Sequence, residues 1–316
     1  MRISLQNVPT VSSFPLVQLR GSIVCFNDHL RRPSQIKVTT TSSAGGQVGK
    51  KCHEATSVVW PVIYSQFKVL VHLKRSVNRF KLWIEDEDEQ ERTVVDYVEV
   101  TMRYRAPEQG ASKRVVRLVY LMCKEEANEK TLFAGGHFEA DQKEEDSSPE
   151  SACRRISTGA LLSQCFFANT LGSTSSDHQQ TFQLELDSAG LPIVHCFTLN
   201  QTQSELWGMK PEELWRQTAV QLISSPLGDV QHCKYLAFAG FSRYSRANGG
   251  HSHPGQLWWL PSAQVLAHVA LGAGGLALLS THCLHCWPET VADIPRRLLD
   301  HRHIDRACFM DDSNHR

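Results

Sequence analysis

The segment Arg114-Val115-Val116-Arg117-Leu118-Val119-Tyr120-Leu121-Met122-Cys123 marks the place where the pattern of the chain changes. It is apolar and rich in β-branched residues, which is typical of a buried strand. Before it, strand-like runs follow one another; after it, strands alternate with helices. We therefore predict a β-rich, sandwich-like domain over residues 1–110 and a mixed α/β domain over residues 111–316, with a turn at residues 106–112 between them.

A helix is predicted to begin directly after a charged linker at residues 141–148. Ser148 can cap it, Pro149 suits the first helical position because that position needs no N–H, and Glu150 favours the positive end of the helix dipole. Gly172 is the predicted terminator. The predicted apolar stripe consists of Ala152, Ile156, Ala160, Leu161, Cys165 and Phe166.

A second helix is predicted to begin at Pro211 and to close at Ser224-Ser225-Pro226. Its predicted apolar face consists of Leu214, Trp215, Thr218, Ala219 and Leu222. The strands predicted around the two helices are a hairpin of residues 182–186 and 191–199, in which Pro192 favours a sheet edge, then residues 234–241, then one or two strands within residues 265–287. A short helix is predicted over residues 291–301.

The first domain is predicted to be an antiparallel β-sandwich. Phe67, Val69, Val71 and Leu73 share one side of an extended chain, as side chains alternate along a strand. Strands are predicted at residues 14–26, 58–64, 67–73, 80–84 and 93–104, with polar turns at 27–49, 74–78 and 85–92. The acidic residues 85–89 are interpreted as a solvated hairpin tip and not as a calcium site. The predicted fold class is α+β.

Charge and composition restrict the function classes. Lys plus Arg and Asp plus Glu are equal at 33 each, so no net charge favours nucleic acid or an anionic membrane. The sequence has no apolar run of signal-peptide or membrane-spanning length, so we expect a cytoplasmic protein that binds neither nucleic acid nor membrane. The ten cysteines are irregularly spaced, so most are expected to be reduced. The oligomeric state stays open.

The motifs that could carry chemistry are weak. The glycines at 272, 274 and 275 fit neither nucleotide-binding spacing, and no G-x-S-x-G nucleophile elbow occurs. A structural zinc site is conceivable, but the cysteines of the C-x-x-C are more typical of a buried strand; its four residues would be Cys283, Cys286, His301 and His303. The histidines at 251 and 253 are interpreted as solvated loop residues.

An ordered set of segments carries a resemblance to a known family. Ser148-Pro149-Glu150-Ser151-Ala152-Cys153-Arg154-Arg155-Ile156 is the longest of them. The others are Leu161-Leu162-Ser163-Gln164-Cys165-Phe166, Phe182-Gln183-Leu184-Glu185, Gly190-Leu191-Pro192-Ile193-Val194-His195, Glu213-Leu214-Trp215, residues 270–279, Cys286-Trp287-Pro288 and Phe309-Met310-Asp311-Asp312-Ser313. Together they resemble a eukaryotic family of zinc metallopeptidases whose fungal members can carry a jacalin-like lectin domain.

The resemblance implies a β-rich region followed by the sheet-bearing part of a metzincin-like, or zincin, peptidase domain. In such enzymes a helix with H-E-x-x-H holds zinc, and its Glu activates the metal-bound water. Here the only His-Glu dipeptide is His53-Glu54, and Ser57 stands where the second His is needed. We therefore expect a partial, truncated domain that binds no zinc, although full-length relatives do. No catalytic, cofactor-binding or metal-ligating residue is assigned, and a non-catalytic peptide- or protein-binding module is the alternative.

Overall fold

The fold is known from a computed structural model, which describes residues 1–26, 33–41, 57–75, 77–85, 94–106, 115–124, 134–138, 146–171, 181–229, 231–241, 276–280 and 289–290. These residues fall into two compact units, the first within Met1–Glu108 and the second within Gln109–Thr290. Strands make up the first unit, and the second combines strands with helices. The predicted α+β class agrees with this content.

The first unit is one eight-stranded sheet. Its strands are β1 (Arg2–Gln6), β2 (Val11–Ser12), β3 (Leu16–Val24), β4 (Gln35–Thr41), β5 (Ser57–Ile63), β6 (Gln66–His72), β7 (Val77–Glu85) and β8 (Val94–Tyr104). They are ordered β1-β3-β6-β5-β4-β7-β8-β2, and every neighbouring pair is antiparallel except β2 and β8. The sheet curls, so that β1, the first strand in this order, comes close to β8. The Ile3 N–H of β1 donates to the Asp96 carboxylate of β8 at 2.6 Å.

Alternating side chains form the core of this unit. Phe67, Val69, Val71 and Leu73 are all buried, as predicted for one face of β6. Phe80, Leu82 and Ile84 are likewise buried and form one face of β7. Glu85, the first residue of the acidic run, ends β7 and pairs with Lys37 of β4; residues 86–89 lie outside the described part of the chain.

The predicted polar turn at residues 27–49 is wrong where β4 lies. Ile36 and Val38 are buried while their neighbours Lys37 and Thr39 are only partly covered, which is the alternation of a strand covered on one face. The three threonines that end β4 made it look polar in the sequence. β1 was missed for a related reason, since Ile3 is its one buried residue.

The second unit is built on a parallel four-stranded sheet. Its strands are β9 (Val115–Lys124), β10 (Val194–Thr202), β11 (Cys233–Ala239) and β12 (Leu276–Ser280), ordered β10-β9-β11-β12. Every neighbouring pair is parallel. The predicted strands at 114–123 and 234–241 are confirmed as β9 and β11. β12 lies within the predicted 265–287 region.

Helices cover both faces of this sheet. They are α1 (Pro149–Leu171), between β9 and β10, and α2 (Gln203–Gly208) with α3 (Pro211–Ile223), between β10 and β11. β10 and β11 lie on opposite sides of β9, so two right-handed crossovers place their helices on opposite faces. Leu199, Leu206 and Leu214 accordingly share one core with Val119 and Leu121, whereas α1 contacts β9 and β10 on the face of Tyr120 and Cys196.

The predicted hairpin of residues 182–186 and 191–199 forms only next to its turn, where Leu186 and Pro192 make an antiparallel bridge and the Ile193 N–H donates to the Glu185 carbonyl at 2.9 Å. Farther from the turn the prediction is wrong, because Leu184 makes a single parallel bridge to Val116 and the second arm joins the sheet as β10, parallel to β9. The turn between them exists, because the Leu191 N–H donates to the Asp187 carboxylate at 2.8 Å. The parallel partner β9 lies 76 positions earlier in the sequence, as in the pair Val194 and Leu118, and local alternation cannot reveal it.

Both predicted helix starts are confirmed, and each predicted stripe contains one error. Phe166 is 42% exposed, and its ring packs edge-on against Phe167. Trp215 is also 42% exposed, because it lies about 100° around α3 from the buried Leu214. α1 ends at Leu171. The predicted terminator Gly172 and the predicted helix at 291–301 lie outside the described residues.

Candidate functional site

Two cysteine thiols meet where α1 crosses β10. Cys153 lies in the second turn of α1 and Cys196 near the start of β10, and their sulfur atoms are 3.5 Å apart. The Ser148 hydroxyl fixes the start of α1 by accepting the Ser151 N–H at 3.2 Å, which sets the position of Cys153 along the helix. Cys196 is placed by its register opposite Tyr120 of β9.

The two thiols have different surroundings. Cys196 is exposed and Cys153 is half-buried. The hydrogen bond with Cys153 outweighs the opposing effect of partial burial and lowers the pKa of Cys196 to about 7. The same hydrogen bond, together with burial, raises the pKa of Cys153. Cys196 is therefore the thiol that ionises first and that solvent reaches first.

An ionic cluster lies at the amino ends of β9 and β10. Arg117 holds both oxygens of Glu185, at 2.7 and 3.1 Å, in a bidentate pair. The Nε2 atom of His195 lies 2.9 Å from the same carboxylate. Burial acts against ionisation of Glu185, but the hydrogen bonds from Arg117 and His195 are stronger together and hold its pKa below the ordinary value.

The same arginine reaches the chain before β11. Arg117 donates to the Leu227 carbonyl at 2.5 Å, and the Tyr235 hydroxyl donates to that carbonyl at 2.6 Å. One guanidinium thus joins β9, the segment before β10 and the segment before β11. The amino ends of parallel strands are rarely where substrates bind, so this cluster has the character of a structural tie.

Glu289 is bound to the first turns of α1. Its carboxylate accepts from the Ser151 hydroxyl at 2.6 Å and from Arg154 at 2.8 Å, and its backbone carbonyl accepts from the Thr158 hydroxyl at 2.9 Å. Burial opposes ionisation, but the hydrogen bonds from Ser151 and Arg154 keep the pKa of Glu289 below its ordinary value. These contacts attach residue 289 to the same helix that carries Cys153.

The described residues do not form a zinc centre. Within the part of the chain that the structure describes, no three His, Cys, Asp or Glu side chains come together as a metal site. The sequence contains no H-E-x-x-H. The conceivable zinc site of Cys283, Cys286, His301 and His303, the histidines at 251 and 253 and the glycines at 272–275 all lie outside the described residues. Ser57, which stands where an H-E-x-x-H motif beginning at His53 would need its second His, is the first residue of strand β5.

Sequence reasoning missed the thiol pair and the ionic cluster for a common reason. Cys153 and Cys196 are 43 positions apart, and Arg117 and Glu185 are 68 apart. No periodicity links positions that are so distant. A hint existed for Glu185 and His195, since they lie on the two arms of the predicted hairpin.

Comparison with known proteins identifies a family that matches almost the whole chain. A family model described as Putative peptidase family, with the short name Metallopep, matches residues 5–316. No curated protein matches the chain. Among the described helices, none has the length and apolar character needed to cross a membrane. Because the family model covers nearly every residue of both units, the protein belongs to the Metallopep family, which is described as a putative peptidase family.

Proposed function

We propose that these 316 residues supply the scaffold of a zincin-like peptidase domain and do not themselves hydrolyse peptide bonds. One observation carries the proposal: a chain that matches a metallopeptidase family over residues 5–316 contains no H-E-x-x-H. The family name points to metal-dependent hydrolysis in relatives. Without two histidines on one helix face and the glutamate between them, the chain lacks the water-activating site of the H-E-x-x-H type.

The finer fold assignments belong to the same proposal. A parallel sheet with helices on both faces supports a zincin-like scaffold for residues 111–316. A sandwich-like first domain is supported by β5, which pairs with β4 through Ser57–Pro61 and with β6 through Val62 and Ile63. The strand thus belongs to two sets of ladders, as a strand at the corner of a sandwich does.

Peptide hydrolysis is the direct test. The purified 316-residue chain, incubated with labelled casein and zinc, is expected to release no more label than buffer, with or without a zinc chelator; a known zinc peptidase serves as the positive control. Hydrolysis that the chelator stops would overturn the proposal. Glu54→Gln would then show whether the lone His53-Glu54 dipeptide is responsible, because a contaminating peptidase would be unaffected by it.

A second candidate function is peptide binding without hydrolysis, which β10 favours. Among the described strands β10 has a neighbour on one side only, so its other side can pair with an extended peptide. Gln221 donates to Gln201 and accepts the Asn200 N–H, and these contacts occupy the carboxyl end of the strand. The accessible stretch is therefore Val194 to Thr198.

Hydrogen exchange can test this candidate. A peptide digest of casein is the probe, and slower exchange of the amides from Val194 to Thr198 is the expected result if the strand accepts peptides. β1, the end strand of the first unit, is the comparison strand and should not respond, because its Ile3 N–H already donates to Asp96. Equal protection of both edges would indicate nonspecific association, and no protection of β10 would remove the candidate.

A further inference from the structure

The contact between Cys153 and Cys196 leads to an inference that is independent of peptide hydrolysis. We propose that Cys196 and Cys153 are a modification site for low-molecular-weight disulfides, at which Cys196 attacks, Cys153 resolves, and an intramolecular disulfide joins α1 to β10. Glutathione disulfide represents the class of oxidant. The proposal is carried by the distance between the sulfur atoms and by the difference in their exposure.

The geometry suits disulfide formation. The sulfur atoms are 3.5 Å apart, so they must approach by about 1.5 Å to reach a disulfide bond length of about 2.05 Å. Cys153 projects from a helix that contacts β10, so the two backbones are already held side by side.

Exposure decides the order of events. Cys196 is exposed and a small disulfide can reach it, whereas Cys153 is half-buried behind it. The Cys196 thiolate attacks one sulfur of glutathione disulfide, which forms a mixed disulfide, breaks the glutathione S–S bond and releases one glutathione. The low pKa of Cys196 supports this order, and the charged or titratable groups that face the pair are Glu150, Arg154 and the buried Tyr120.

The second step closes the protein disulfide. Cys153 loses its proton to solvent and attacks the sulfur of Cys196, so that the Cys153–Cys196 bond forms, the mixed disulfide breaks and a second glutathione leaves. Overall, two protein thiols lose two electrons and two protons, and one glutathione disulfide becomes two thiols. The protein supplies no other reactant.

Metal binding is a weaker explanation of the pair. A structural zinc site takes four ligands, and the described residues offer no third His, Cys, Asp or Glu grouped with the two thiols. A disulfide, in contrast, needs only the two thiols that are present.

The test follows the two steps separately in the full chain. Reduced protein is exposed to mixtures of glutathione and its disulfide, quenched with acid, alkylated and mapped by mass spectrometry. In the wild type, the Cys153–Cys196 cross-linked peptide is expected to exceed the glutathione adduct of Cys196 by at least about tenfold, because the neighbouring thiol competes at high effective concentration.

Three variants make the result decisive. Cys153→Ser should accumulate the glutathione adduct on Cys196, as nothing resolves it, and Cys196→Ser should leave Cys153 largely unmodified. Cys25→Ser, which removes a half-buried cysteine of the first unit, should behave as the wild type. Equal reaction of the Cys153→Ser and Cys196→Ser variants would overturn the order of attack. Adducts on other cysteines without the cross-link would overturn the site, and circular dichroism of each variant verifies that it is folded.

Discussion

The Glu185 carboxylate lies between two basic side chains, those of Arg117 and His195. Arg117 lies on β9 and His195 on β10, while Glu185 lies in the segment that leads to β10. Their hydrogen bonds therefore join three segments of the chain at the amino ends of the strands. A carboxylate held this way stabilises the fold only while it is ionised. Its contribution must therefore depend on pH.

The sign of that dependence follows from the lowered pKa of Glu185 in the folded protein. The stabilisation is present above the unfolded pKa of about 4.3 and is lost as the pH falls below it through the folded pKa. We expect Glu185→Gln to reduce the free energy of unfolding by about 1 kcal/mol at neutral pH, a value that allows for partial exposure. Urea unfolding from pH 7 to pH 3 should show that this difference shrinks.

The control for this experiment is Glu212→Gln on α3, where the glutamate is exposed. Its effect should stay within about 0.5 kcal/mol at every pH. A constant cost of Glu185→Gln across the range would mean that hydrogen bonding of the neutral side chain, and not its charge, stabilises the cluster.

At the scale of elements, α1 is the helix on which the described polar contacts of the second unit concentrate. It carries Cys153, and through Ser151, Arg154 and Thr158 it binds residue 289. Its start must therefore be well defined for these groups to keep their positions. Ser148 provides that definition, since its hydroxyl accepts the backbone N–H three residues later.

Removing the cap should have a measurable cost. We expect Ser148→Ala to lower the free energy of unfolding by about 1 kcal/mol, because one backbone N–H of the first turn loses its acceptor. Ser148→Asn keeps a side-chain oxygen at the same position and should stay close to the wild type. Urea denaturation compares the three proteins, and equal losses in both variants would show that the Ser148 hydroxyl does not act as the cap.

At the scale of the whole molecule, the proposed disulfide would close a loop between positions 43 apart in the second unit. Such a loop restricts the unfolded chain, and a disulfide of this kind adds about 2–4 kcal/mol to the free energy of unfolding. We expect the cross-linked protein to melt several degrees above the reduced protein in scanning calorimetry.

The Cys153→Ser, Cys196→Ser double variant separates this effect from general oxidation. It should melt at one temperature in both redox conditions. A cross-linked wild type that melts no higher than its reduced form would show that the bond strains the junction of α1 and β10 by as much as it restricts the unfolded chain.

Local chemistry in the sequence determined several features of this protein. Ser148-Pro149 and Pro211 favour the start of a helix, and the alternation of Phe67 to Leu73 places one face of a strand in a core. The absence of H-E-x-x-H is equally a property of sequence alone. Each of these depends on residues within a few positions of one another, so no knowledge of distant neighbours was needed.

Only the tertiary structure decided which distant segments meet. It paired β10 with β9 in parallel, where the sequence suggested a hairpin, and it identified β4, whose threonines hid a strand covered on one face. It brought Cys153 to Cys196 and Arg117 to Glu185. The physical reason is the same throughout: a parallel strand or a helix crossing a sheet obtains its partner from packing, and packing is not encoded in the spacing of neighbouring residues.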